Sequence, residues 1–138
     1  MQPSAFEIFA SQVMQDVQTP TDEAAIRTVI GRMYYAAYHD ALQWVEARFS
    51  LQVSDFKDAA GASAGMHRQL QLCYKDLQRK QFDFLFSQVA ALLNDLHVCR
   101  VEADYSMALT VGHEKAKYAC LQKQKINTHL NSLKAKYP

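Results

Sequence analysis

The chain has 138 residues, 49% hydrophobic and 21% charged, with 15 basic and 14 acidic side chains for a net charge of +1. This is enough chain for one domain with its own core, and the composition is that of a folded globular protein rather than a disordered one. The near-zero charge points neither to nor away from nucleic acid. With 4 glycines and 3 prolines there is little material for tight hairpins. Three cysteines, Cys73, Cys99 and Cys120, are odd in number and form no C-x-x-C pair, so three reduced thiols are expected rather than a disulfide framework.

In chain order, Ser4 to about Val17 places Phe6, Phe9, Ala10, Val13, Met14 and Val17 at helical spacing, with Ser4 and Glu7 forming a capping box. Met1-Gln2-Pro3-Ser4 carries neither the basic nor the apolar segment of a secretory leader, and no apolar run reaches membrane-spanning length. A cytoplasmic protein with no membrane association is therefore expected. Thr19-Pro20 breaks the chain, and Thr21-Asp22-Glu23 restarts it with a cap and acids in the first turn.

Thr21 to Phe49 reads as one long helix around which the chain is organised. Most of its circumference is apolar: Ile26, Ile30, Met33, Tyr34, Ala37, Tyr38, Ala41, Leu42, Trp44, Val45 and Phe49. A narrow polar line remains, made by Thr28, Arg32, His39, Gln43 and Glu46 with Tyr35 at its border. A surface helix normally shows the reverse proportion. The pattern predicts a helix covered on most sides, with one hydrophilic seam.

Leu51 to Gly65 reads as a loop, with a short helical turn at Val53 to Ala59. A third helix is expected from near Ala64 to about Leu77, followed by Gln78-Arg79-Lys80-Gln81 as a connection or a polar interval. Phe82, Leu85, Phe86, Val89, Leu92, Leu93 and Leu96 form the strongest periodic stripe and predict a fourth helix to about Val101, closed by Glu102-Ala103-Asp104-Tyr105. Thr110 can cap a fifth helix, Val111 to about Leu133. No β-alternation is present. The expected fold is all-α: residues 1–138 form a single antiparallel up-and-down bundle of four to five helices.

The chemistry-bearing candidates are few. There is no phosphate-binding glycine loop, no nucleophile elbow and no H-E-x-x-H. His97 and Cys99 point to different sides of a helix, so no metal site and no cofactor are expected. Arg32 and His39 are seven residues apart, which leaves them about 20° apart around a helix axis. Such a pair can act on one phosphodiester: histidine passes a proton near neutrality, and arginine forks onto phosphate oxygens. One histidine cannot readily be both base and acid, and a two-fold dimer with facing seams supplies the second. On spacing alone an internal role stands beside this one, with Arg32 paired to Glu46, Asp104 or Glu102 and His39 a hydrogen-bonded interior residue. Beyond Tyr105 the lysines Lys115, Lys117, Lys123, Lys125, Lys134 and Lys136 face a single acid, Glu114. Of these, Lys115, Lys117, Lys123 and Lys125 are candidates for RNA contact, against the plain alternative of a solvated helix face.

Arg32-Met33-Tyr34-Tyr35-Ala36-Ala37-Tyr38-His39 resembles the R-x-Y-Y-A-x-aromatic-H segment of HEPN domains (higher eukaryotes and prokaryotes nucleotide-binding). Arg100-Val101-Glu102-Ala103-Asp104-Tyr105 is similar to that family's later arginine followed by A-D-Y, and His67 stands where the family often has a histidine opening a helix. The resemblance spans about 30 to 130. It implies a dimeric helical bundle and, as in many members, a metal-independent endoribonuclease of toxin–antitoxin, phage-defence or CRISPR-linked systems. Carried over, Arg32 stabilises the phosphate, His39 is the acid-base group and Tyr35 orients one of them, with Asp104 and Tyr105 of the second motif in support; Gln43 and Glu46 join them as supporting residues by their place on the polar line. An RNA substrate and a cognate antitoxin or nucleotidyltransferase are the implied partners. Met33 and Ala41 stand where nuclease members carry, respectively, a polar residue and a tyrosine. Other members bind nucleotides or partner proteins without catalysis.

Overall fold

The computed structural model describes residues 23–57, 65–105 and 113–138. The expected helix at Ser4 to Val17 lies outside them. The protein is an all-α bundle: α1 spans Glu23–Phe49, α2 Met66–Gln81, α3 Phe84–Tyr105 and α4 His113–Lys136, with a 3-10 turn at Val53–Asp55. Among the described residues there is no strand, and no helix is long and apolar enough to cross a membrane.

The inverted pattern of α1 is realised. Ile26, Val29, Ile30, Met33, Tyr34, Ala37, Tyr38, Ala41 and Val45 are buried, while Thr28, Tyr35, His39 and Gln43 stay exposed and Arg32 and Glu46 are half-buried. The helix that packs extensively on all three others, however, is α3, whose Phe86, Val89, Leu93 and Leu96 are fully buried. Helix α1 packs on α3 and α4. It meets α2 through tyrosines: the buried Tyr74 hydroxyl donates to the Ala41 carbonyl at 2.8 Å. Apolar area removed from water drives this assembly.

Helix ends set the path between elements. Helix α1 stops as expected at Ser50, which adopts the left-handed conformation with φ 52°. The Val53 amide then donates to the Glu46 carboxylate at 2.9 Å. Glu46, expected in the functional seam, thus ties α1 to the turn that follows it.

The link between α2 and α3 departs from expectation. Gln78 to Gln81 are the last turn of α2, and Phe82 belongs to neither helix. It is left-handed, with φ 52°, and 92% exposed. The reason lies in the next residue. Asp83 is 7% exposed and caps α3, accepting from the Leu85 amide at 3.0 Å. The same carboxylate accepts from Lys136 Nζ and from the Tyr137 hydroxyl, both at 2.9 Å. Drawing Asp83 inward turns Phe82 out. Burial raises the Asp83 pKa, but the hydrogen bonds from Lys136, the Leu85 amide and Tyr137 outweigh it, and the net shift is downward.

Two stability changes follow from this corner. A left-handed L-residue costs about 1–2 kcal/mol, and glycine costs about 0.5–1 kcal/mol more chain entropy, so Phe82→Gly should stabilise by about 0.5–1 kcal/mol. Thermal unfolding would show this as a higher Tm, and a fall in Tm would contradict it. Asp83→Ala loses a cap worth about 1 kcal/mol together with the hydrogen bonds from Lys136 and Tyr137, so the urea midpoint should fall. Because the carboxyl pKa is depressed, this contribution is present above the ordinary carboxylate range and is lost as pH falls through the folded value. The wild-type advantage over Asp83→Ala should therefore shrink in acid.

Candidate functional site

The polar seam of α1 lies along an open edge of the bundle. His39 is exposed there, its ring 6.4 Å from that of Tyr35 in a stacked orientation and 5.5 Å from that of Tyr38, edge to face. Arg32 is half-buried on the same helix and Gln43 is exposed. Tyr35, 41% exposed, borders both this edge and a second feature.

That feature is a cavity of about 410 Å³ where α1, the first turn of α2 and the later part of α3 converge. Helix α1 contributes Tyr34, Tyr35 and Tyr38; α2 contributes His67 and Arg68, with Met66 at 64% exposure; α3 contributes His97 and Arg100. The two imidazoles stack face to face, 3.8 Å between ring centroids at an angle of 8°. Tyr34 Oη and His67 Nδ1 share a hydrogen bond of 3.1 Å. The guanidinium carbon of Arg100 lies 5.0 Å from the Tyr35 ring centre and 5.6 Å from that of Tyr34, within cation–π range. Its Nε is 3.2 Å from the Asp104 carboxylate. Asp104, expected to support Arg32 and His39, pairs with Arg100 of the neighbouring cavity.

The electrostatics of this cluster favour neutral rings. Burial, and then the neighbouring His97, lower the His67 pKa to about 4, against an opposing hydrogen bond that the protonated ring donates to Asn94. Burial and Arg100 lower that of His97. Burial, followed by Tyr38, pushes the Tyr34 phenol up to about 12. At neutral pH the cavity therefore presents neutral imidazoles, a neutral buried phenol and arginine as its source of charge. His97 Nδ1 is buried without a hydrogen-bond partner among the described residues.

Arg32 and His39 do not line this cavity. Sequence reasoning set His97 aside as a metal ligand and took His67 only as family likeness. The usable signal was phase: His97 and Arg100 are three apart on one helix, so they share a face.

The lysines of α4 form a weaker surface than their number suggests. Lys123 is 2% exposed and donates to Asn127, which removes it from the expected RNA-contact set. It falls on the stripe of Ala119, Ile126 and Leu130, so its helical phase turns it inward. Lys115 pairs with Glu102, and exposed Lys117 lies 3.7 Å from Glu114. Lys125 is exposed. The Tyr105 side chain lies outside the description. Cys73 and Cys99 are buried free thiols, with Cys73 pushed up to about 12 by burial, which makes it a poor nucleophile. Among the described residues no three His, Cys, Asp or Glu side chains are grouped to hold a metal ion.

The fold class is thus an all-α helical bundle with an aromatic, arginine-bearing cavity beside an exposed histidine edge. No protein-family model, curated protein or solved structure matches the chain.

Proposed function

We propose that the protein is a HEPN-type, metal-independent endoribonuclease, a cytoplasmic effector of the toxin or phage-defence kind. The observation that carries this reading is the placement of His39: exposed on the open edge of α1, flanked by the rings of Tyr35 and Tyr38, on the helix that also bears Arg32. An imidazole so placed can reach a ribose 2′-hydroxyl or a leaving 5′-oxygen. Arg32 supplies a fixed charge and a fork for phosphate oxygens as charge grows on them in the transition state. A two-fold homodimer with the two edges facing one another provides base and acid from two copies of His39. A cognate antitoxin or a nucleotidyltransferase is the partner this reading implies.

The test is incubation of the purified protein with single-stranded RNA in EDTA, alongside light scattering for the dimer. Cleavage of the chain is expected, and intact RNA after prolonged incubation with folded dimer overturns the nuclease reading.

A second reading is favoured by one specific observation, that the cavity excludes Arg32 and His39. In it the protein binds a nucleotide or RNA without turnover. Binding that persists with no cleavage product is its signature.

A further inference from the structure

We propose that the corner between α2 and α3 docks on an anionic lipid surface, with Phe82 and Phe84 entering the acyl boundary and the cations beside them meeting the headgroups.

Phe82 and Phe84 are the two most exposed large apolar side chains among the described residues, at 92% and 72%. They flank Asp83, which is turned inward to Lys136 and Tyr137, so the acid between the rings does not face outward with them. Phe82 lies in the left-handed region, which glycine occupies freely and an L-residue only at a cost. The inward turn of Asp83 accounts for that backbone. It does not account for a phenylalanine there, since glycine would suit the fold better. A strained residue that also holds a bare phenyl ring in water points to a use beyond folding.

The charges beside the rings turn one sign outward. Arg79 and Lys80 pair with Asp76, and their side chains are 76% and 67% exposed against 20% for the acid. In the pair of Lys136 with Asp83 the figures are 57% and 7%. Each pair presents its cation to solvent and recesses its carboxylate. Exposed Lys75 lies one turn before Arg79, on the same face of α2. Exposed Arg48 donates to the Tyr137 carbonyl at 3.0 Å, which brings the end of α1 to this corner. Lipid-surface association scales with buried apolar area plus attraction to anionic headgroups, and it needs no spanning helix.

Shape selects among partners. A ring as exposed as that of Phe82 has no wall beside it, so the corner is a projection and not a groove. Gln81 and Gln88 next to it are exposed and polar, which confines the apolar area to the two rings. That falls short of the buried core of a protein interface. A deformable acyl layer takes up projecting rings without a matching surface. The corner stands at the opposite end of α2 from the cavity, and its assignment is independent of the nuclease reading.

The test is flotation of the full-length protein with vesicles of phosphatidylcholine alone, or containing about one-third phosphatidylserine. Wild type should float with the anionic vesicles, stay behind with the neutral ones, and be released as salt is raised. Phe82→Gly should weaken binding about ten- to hundredfold, the range for keeping one phenyl ring in water. Because the same change is expected to raise Tm, unfolding does not explain that loss. Phe84→Ser should weaken binding by a similar factor, and Lys80→Gln about fivefold. The proposal is overturned if folded wild type floats with neither vesicle. It is also overturned if both phenylalanine variants float like wild type, because charge alone then accounts for binding. A dimer in light scattering, or a complex with single-stranded RNA, that both phenylalanine variants abolish while vesicles are ignored would assign the corner to a second copy or to RNA instead.

Discussion

Replacing His39 by alanine is expected to lower cleavage of single-stranded RNA by about two to four orders of magnitude, the usual share of general acid–base catalysis. The fold should be nearly untouched. His39 is exposed, its ring contacts are with Tyr35 and Tyr38 at one edge of α1, and exposed substitutions of this kind change stability by about 0.5 kcal/mol or less. The separation of a large rate effect from a small stability effect is what makes the variant informative. Arg32→Lys refines it. Lysine keeps the charge and loses the planar fork, so a requirement for bidentate contact appears as a loss even though the charge remains. Arg32→Ala, with the charge also gone, should cost about 10²–10³ in rate, as for removal of one transition-state donor. The double variant should be little worse than His39→Ala, because groups acting on one phosphate are not additive. Full activity in either alanine variant, measured in EDTA on folded protein, would assign cleavage elsewhere.

The long helix and its seam were legible because helical phase is a local property. Once Ile26, Ile30, Met33, Ala37 and Ala41 were placed inward, Thr28, His39 and Gln43 had to lie on the uncovered side, and they do. What phase could not supply was the convergence of separate helices. His67 and His97 are thirty positions apart, and nothing local indicates that their rings meet at 3.8 Å or that Arg100 lies over Tyr35. Charge alone places Lys123 on the surface, but the period of its own helix turns it inward. At the α2–α3 corner the apolar period starts two positions before the helix does. Phe82 continues the stripe in sequence, but the cap at Asp83 and its ties to Lys136 and Tyr137 decide where α3 begins. Glu46 shows the converse. Its position on the seam was right, and its role is set by a contact, to the Val53 amide, that spacing does not reveal.

Acid should unfold this protein from the histidine stack before its carboxylates titrate. The direction follows from which state takes up the proton. In the unfolded chain His67 titrates near its ordinary value of 6.5; in the folded protein burial and His97 lower it to about 4. Between those values the unfolded state binds more protons, so stability falls as pH is lowered from about 6.5 and the loss is complete near 4. The His67 shift alone sets an upper bound of about 3 kcal/mol, at 1.36 kcal/mol for each unit. His97 shifts in the same direction, with Arg100 adding to the cost of charging it. A proton on either ring would sit in face-to-face contact with the other imidazole, with Arg100 beside it and Arg68 at the same cavity. Asp83 acts in a lower window, because its depressed pKa keeps its hydrogen bonds intact until the carboxylate itself is protonated. Urea titrations across about pH 7.5 to 4.5 should therefore show a decline already under way by about pH 5.5. The variant His67→Phe isolates the cause. It keeps a flat ring against His97 and removes one titrating group and the hydrogen bond to Tyr34, worth about 1 kcal/mol. It should start lower at pH 7.5 and fall less steeply. If its slope equals that of the wild type, the acid sensitivity does not come from this imidazole, and the neutral-ring description of the cavity fails with it.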